Sequence, residues 1–365
     1  MMKKQLMGII LLIFILTLSA CSRQLEEAKA IGVITPLTGD VASWGQAVKK
    51  GIDLAAQERG IGDSVIFEDS KCDLQEGFRA AKKLIEVEDT DVILGTVCSS
   101  VTLGVAPLTE ENDVLLVSTG SSSPAVTDAG DYVFRMWPSD TYEATVITDY
   151  ISNNMVDIES MAILQINNDY GEHLAQALKK NADEKGIEIT ATEKFSQDET
   201  DFRSHLLKLK QKNPDAIYIV TNSEETVPIM NQYSELNIGS QVFLPGWIVE
   251  DETIFEKIGP QLEGVIYAVA DMAANDAFTK RLKDTYGEEN QYPLVSALAY
   301  DSANIVFDAG EKCGWDTACM RDFMYTMPVR DGAAGKTRFD ENGDVLEKDF
   351  LIKKVENGEF KEIKK

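Results

Sequence analysis

Histidine is almost missing from this chain: 365 residues hold two, His173 and His205. Both fall in helical patterns of the second half, and His205 lies well inside its helix. A serine or cysteine nucleophile needs a base within hydrogen-bond reach. Only His173 is even conceivable as a partner for Ser99 or Ser122. No G-x-S-x-G elbow, P-loop or H-E-x-x-H occurs. The acidic residues show no EF-hand spacing, and Asp340-Glu-Asn-Gly-Asp reads as a hairpin turn. The chain is therefore expected to be no enzyme, with no cofactor and no metal. Basic residues are scarce as well, 35 Lys and Arg against 61 Asp and Glu, for a formal net charge of -26. Such a surface repels phosphate, which argues against nucleic acid as a partner and for a solvated exterior. Long apolar runs are limited to residues 8–18, broken only by Thr17. No repeat of solenoid period and no low-complexity segment is present.

That one run follows Lys3 and Lys4 and is too short to span a bilayer, so residues 1–20 read as a secretory signal. Leu18-Ser19-Ala20-Cys21 resembles a lipobox, with cleavage before Cys21 and a lipid on its sulfur. Residues 21–29 then form a tether, and the protein sits on the outer face of the cytoplasmic membrane. Cysteine is sparse, five in all. With Cys21 assigned to the lipid, four remain for an oxidising compartment, where two disulfides are expected. Cys313 and Cys319 flank a short turn-forming stretch and are natural partners, which leaves Cys72 with Cys98. Cys98 is then oxidised and no nucleophile.

From Ala30 onward, apolar runs of strand length alternate with helical patterns, as in a parallel sheet covered on both faces. Strands are expected at residues 30–35, 65–69, 92–94 and 114–118, with helices at 43–59, 75–87 and 101–111 between them. The series restarts after Tyr132-Val-Phe-Arg-Met-Trp-Pro, which reads as a crossing between two lobes. Strands follow at 160–165, 187–194, 215–220, 241–244 and 263–268. Two helices come next, 274–286 and 293–311, and then a tail with hairpin character at Glu341-Asn-Gly-Asp and Val355-Glu-Asn-Gly-Glu. The tail completes no βα series of its own, so its pieces should finish the two lobes. The expected fold class is α/β, with two similar lobes, each a parallel sheet covered by helices.

Ligands of parallel α/β sheets bind beyond the carboxyl ends of the strands. Those ends carry Thr35-Pro-Leu-Thr-Gly-Asp, Gly95-Thr-Val-Cys-Ser-Ser, Ser118-Thr-Gly-Ser-Ser-Ser, Asn167-Asn-Asp-Tyr-Gly and Thr221-Asn-Ser-Glu. Hydroxyls and backbone amides at helix starts suit a carboxylate, although each loop taken alone also suits a helix cap. Trp44, Trp137 and Trp247 fall near strand ends of both lobes and suggest an aromatic-lined cleft.

In order and spacing the chain resembles the substrate-binding proteins of branched-chain amino acid ABC transporters, which have the type I periplasmic-binding fold. The matches are Ile34-Thr-Pro-Leu-Thr-Gly with Trp44-Gly, Cys72 with Cys98-Ser-Ser, Gly120-Ser-Ser-Ser-Pro, Phe134-Arg with Pro138-Ser-Asp, Asp169-Tyr-Gly, Asp201-Phe and Tyr300-Asp-Ser-Ala. The resemblance further implies that the two lobes are Rossmann-like, doubly wound and joined by a hinge of three segments. Lobe 1 is then 30–137 plus 272–335 and lobe 2 is 138–271 plus 336–365, hinged near Trp137, Asp271 and Gly335. It implies a monomer that binds an amino acid or related small solute and passes it to a permease. Ser99, beside Ser100, resembles the serine on the ligand carboxylate, and Ser121 and Ser122 resemble the pair that holds the ligand backbone. Trp44 is similar to the tryptophan walling the side-chain pocket, Tyr170 to an aromatic lid, and Asn222 falls near a position that is often tyrosine. The chain departs from the pattern at Trp247, where a glutamate commonly meets the ligand ammonium. Glu224, Glu250 or Asp271 must then replace it, or the ligand is not an ordinary α-amino acid.

Overall fold

The computed structural model describes residues 30–197, 199–287, 292–346 and 348–364. The signal, Cys21 and the tether lie outside the described residues. Two separate sheets organise the chain. The first is wholly parallel, in the order β2-β1-β3-β4-β5, with β1 Ile31–Thr35, β2 Val65–Asp69, β3 Val92–Gly95, β4 Leu115–Ser118 and β5 Val133–Arg135. Helices α1 (Ala42–Arg59), α2 (Leu74–Glu86) and α3 (Ser99–Glu111) cross between its strands. Register aligns Ile34, Gly95, Ser118 and Arg135 in one row, so the loops after β1, β3 and β4 all leave at one level. The strand order reverses between β1 and β3, the point at which doubly wound sheets open a crevice.

The second sheet repeats the order. Strands β6 (Ser160–Ile166), β7 (Glu188–Phe195), β8 (Ala216–Val220), β9 (Gln241–Phe243) and β10 (Ile266–Ala270) lie as β10-β9-β8-β6-β7, all parallel. The intervening helices are α4 (Asp140–Asn154), α5 (Asp169–Glu184), α6 (Arg203–Lys212), α7 (Ser223–Glu235), α8 (Gly246–Val249) and α9 (Glu252–Leu262). Helix α4 precedes β6, and its Ala144 and Ile147 pack with Ile266, Ala268 and Ile352 of this sheet.

After β10 the chain returns to the first lobe. Helices α10 (Asp276–Tyr286), α11 (Pro293–Cys313) and α12 (Thr317–Thr326) bury Phe278, Leu298 and Met320 against Ile31, Val33 and Leu94. A Cβ on Gly51 of α1 would stand 2.1 Å from the Ser296 carbonyl oxygen, so only glycine lets α1 and α11 cross this closely. The short hairpin β11 (Arg330–Gly332) and β12 (Gly335–Thr337) follows. The chain then ends in β13 (Phe350–Glu356) and β14 (Glu359–Lys364), added antiparallel beside β10. Asn357 and Gly358 both take positive φ at that turn, as a tight two-residue hairpin requires.

The sequence reading misses α8, α9, α12, β5 and the hairpin of β11 and β12. Helix α9 contains Gly259-Pro260 and a non-helical Ile258, which break the periodicity by which helices are recognised. Helix α12 begins inside the Cys313–Cys319 segment, so that disulfide joins one helix end to the next helix start. The segment read as a bare crossing first forms the edge strand β5 and crosses only beyond Arg135. Both expected disulfides are formed.

Candidate functional site: a cleft of aromatic rings between two lobes

The loops at the facing strand ends enclose a cleft of ≈ 70 Å³, walled by Trp44, Trp137, Trp247 and Tyr170 and floored by Ser99, Ser100, Gly120 and Ser122. From the first lobe, Trp44 stands in the opening turn of α1. Gly45 beside it lies so close to the turn after β1 that a Cβ would be 1.8 Å from the Pro36 carbonyl oxygen. The loop carrying Pro36 is tied in turn to β2, because Asp69 accepts from the Leu37 amide at 2.8 Å and the Thr38 hydroxyl at 2.5 Å. These bonds hold the Asp69 carboxyl below the usual range against the opposing effect of burial, the largest single influence on it.

Ser99 and Ser100 open α3 directly after Cys98, whose bridge to Cys72 pins this helix start to the loop after β2. Cys98 offers no side-chain cap. Its carbonyl accepts from the Val101 and Thr102 amides, and the Ser99 and Ser100 amides make no hydrogen bond among the described residues. Unpaired amides at the positive end of a 13-residue helix are suited to receiving an anion. From the second lobe come Asn168, Tyr170, Asn222 and Trp247. Asn168 caps α5 by accepting from the Gly171 amide at 2.9 Å, and Asn222 holds the cap position of α7.

Aromatic contacts cross the cleft. Trp44 meets Trp247 edge-on at 5.3 Å between centroids and Trp137 at 5.5 Å. Tyr170 lies 6.3 Å from Trp247 and accepts a 3.3 Å hydrogen bond from its indole nitrogen. The Trp44 indole N–H is buried and has no hydrogen-bond partner among the described residues. Among the described residues that line the cleft, none carries a charged side chain.

Charge lies immediately beneath. Ser122 Oγ donates to Asp140 Oδ2 at 2.9 Å, and the Asp140 amide donates to the Ser122 carbonyl at 2.8 Å. Asp140 is 4 % exposed and Glu143, one turn further along α4, 6 %. Tyr218 donates to Glu143. Burial raises Asp140 to about 7, opposed by the Ser122 hydroxyl and by Arg135. Burial and then the Asp140 charge push Glu143 well above the carboxylate range. Burial also raises the Tyr170 and Tyr218 hydroxyls, reinforced by the charges of the same two acids. Arg135 is wholly buried but committed elsewhere: its Nε stands 2.6 Å from Asp344, and Nη1 donates to the Ser123 carbonyl at 2.8 Å.

The fold brings together Trp44, Ser99, Ser100, Ser122, Tyr170, Asn222 and Trp247. Two expected site residues lie elsewhere. The hydroxyl of Ser121 is turned into the lobe, 2.6 Å from the Thr102 hydroxyl and 3.1 Å from the Thr96 carbonyl, where it braces the loop. Asp271 is exposed on the returning segment, its amide bonded to the Asp349 carbonyl. Glu250 is held by Lys353 at 2.7 Å and Tyr267 at 3.0 Å, and Glu224 is exposed; neither lines the cleft. The reading overlooked Val41, Val97, Asn168 and the buried acids Asp140 and Glu143. Ser139-Asp-Thr-Tyr-Glu has the form of a helix start with acids in its first turn, and that local pattern conceals any further role.

The family model described as periplasmic binding protein matches residues 30–359. The chain belongs to the periplasmic binding protein family. This is a family of solute-binding proteins, not enzymes. A Leu/Ile/Val-binding protein of Rhizobium johnstonii is 28% identical over 345 residues, 90% of this chain and 92% of that one. The crystal structure of a leucine binding protein, LivK, from Thermotoga maritima superposes with a TM-score of 0.80 at 27% identity, covering 91% of this chain and 97% of that chain. A solute binding protein from Rhodopseudomonas palustris, in complex with 3,4-dihydroxybenzoic acid, shares the fold with a TM-score of 0.79 at 24% identity, over 93% and 97% of the two chains. This periplasmic binding protein has no described helix long and apolar enough to cross a membrane.

Proposed function

We propose that the protein is the extracytoplasmic solute-binding component of an ABC importer. It captures an apolar amino acid, branched-chain or of similar size, and presents it to a membrane permease. The observation that carries this reading is the cleft itself. Unpaired amides of Ser99 and Ser100 suit a carboxylate, and a slot of indole rings suits an apolar body. The names of its relatives point the same way. The lobes, 30–137 with 272–335 and 138–271 with 336–365, close on the solute as a monomer by hinge motion, with a lipid on Cys21 as the tether.

A second reading rests on Trp247. An indole where the resembled transporters commonly have glutamate suits an aromatic carboxylate, an amide or a quaternary amine, sensed through a separate signalling partner. Isothermal titration separates the two. The chain from Ser22 onward is unfolded and refolded to remove carried-over solute, then titrated with leucine, isoleucine, valine, phenylalanine, benzoate, short amides and choline. Micromolar or tighter binding of an α-amino acid, lost in Ser99→Ala, supports the first reading. Binding confined to benzoate, an amide or choline sinks it.

A further inference from the structure

Among its described residues the cleft has no charged side chain, yet two carboxylates are buried one hydrogen bond behind it, and the cation near them is already matched. Arg135 forms its ion pair with Asp344. Asp140 and Glu143 thus share a region holding one cation and three carboxylates. Each uses a single oxygen: Oδ2 of Asp140 accepts from Ser122, and Oε1 of Glu143 accepts from Tyr218. Among the described residues, Oδ1 of Asp140 and Oε2 of Glu143 hold no hydrogen bond, although both side chains are more than nine-tenths buried. Ser122 belongs to the cleft floor, and so its hydroxyl joins the site to this pair.

We infer that Asp140 and Glu143 together form the seat for the solute's ammonium group, and that its arrival expels a proton the two acids otherwise share. This rests on the amino-acid reading above. It also accounts for Trp247: the counter-charge comes from the first turn of α4 instead of the second-lobe strand end. Two buried carboxylates a helical turn apart cannot both be ionised without a cation. An ammonium against Ser122 supplies that cation, and one proton leaves to solvent. Every group facing the pair agrees. Tyr170 of α5 and Tyr218 of β8 are neutral hydroxyls, Arg135 of β5 is the matched cation, and β10 and β13 present apolar Ile266, Ala268 and Ile352 to α4. The raised positions of both acids fit a shared proton near neutral pH.

The test compares leucine with 4-methylpentanoate, the same molecule without its amine, on the full mature protein. In titrations with buffers of different ionisation enthalpy, leucine should release up to one proton, and its affinity should rise about tenfold per pH unit while the pair is protonated. The affinity for 4-methylpentanoate should not rise with pH. Asp140→Asn should remove the preference for leucine, a loss of roughly a hundredfold or more. Glu143→Gln should reduce both the pH slope and the proton release to what Asp140 gives up through its own burial, whereas a merely structural role would leave both in place. Should Asp140→Asn fail to fold, proton release in the wild type and its reduction in Glu143→Gln decide the matter. Leucine bound with no proton release, or with slope and preference intact in both variants, overturns the inference alone. A wild type that binds 4-methylpentanoate or benzoate but no amino acid sinks the reading of the solute, and this inference with it.

Discussion

Replacing Cys72 and Cys98 by serine tests whether the first disulfide serves the cradle or only the chain. The bridge closes a span of 26 residues, against 6 for Cys313–Cys319. By loop-closure entropy these are worth about 3.5 and about 2.2 kcal/mol respectively at 25 °C. On stability alone the first pair should thus exceed the second by about 1.3 kcal/mol. Binding should separate them far more. Cys98 precedes the two amides left unpaired at the start of α3, and Cys72 itself lines the cleft at positive φ. Without the bridge that helix start can shift, and a cradle of backbone amides tolerates little displacement. The double variant Cys72→Ser/Cys98→Ser should lose roughly ten- to a hundredfold in solute affinity. Cys313→Ser/Cys319→Ser should lose stability with affinity unchanged, because that bridge lies outside the cleft lining. Urea unfolding and isothermal titration of both variants give the two numbers independently. Equal losses of affinity, or full affinity without Cys72–Cys98, would refute the positional role.

Other expectations follow from the same geometry. Between pH 5 and 8 the stability of the solute-free protein should fall as pH rises. Asp140 and Glu143 have raised folded-state pKa values, so the folded state keeps protons that the unfolded chain has already released. For Asp140 alone the move from 3.8 to about 7 sets a ceiling of about 4 kcal/mol; urea midpoints across that range should shift downward, and Asp140→Asn should flatten the trend. Tyr292, at the start of α11, donates to Asp251 at the cap of α9 over a 2.8 Å bond between the lobes and outside the cleft lining. Tyr292→Phe should weaken solute binding about 5- to 30-fold through faster release, with stopped-flow dissociation as the measure; an unchanged rate would remove the bond from the closure. Gly45→Ala should destabilise the first lobe by about 1–3 kcal/mol in urea unfolding, since its methyl meets the Pro36 carbonyl and the backbone must yield.

Much of the fold was legible because long parallel strands write themselves as apolar runs. β1, β3 and β4 are buried along their whole length and read that way. Failures fell where local signals conflict. Gly259-Pro260 hides α9, and β5 has only three residues beside a tryptophan-proline pair. The cleft was legible at its serines and tryptophans, since a residue type and a strand end are both written locally. Ser121 shows the limit: it neighbours Ser122, yet a turn of the chain aims its hydroxyl at Thr102 and away from the cleft.

Composition, the paired cysteines, the twice-repeated βα order and the hydroxyl-rich strand ends were set by the sequence itself, because each depends on neighbours along the chain. Tertiary structure alone decided which loops share a cleft and which carboxylates stand behind it. Asp140 and Glu143 look like an ordinary helix start until residues 18 and 75 positions away, Ser122 and Tyr218, are folded onto them. Burial, not identity, turns them from ordinary first-turn acids into candidates for holding charge, and burial is a property of the assembled lobes.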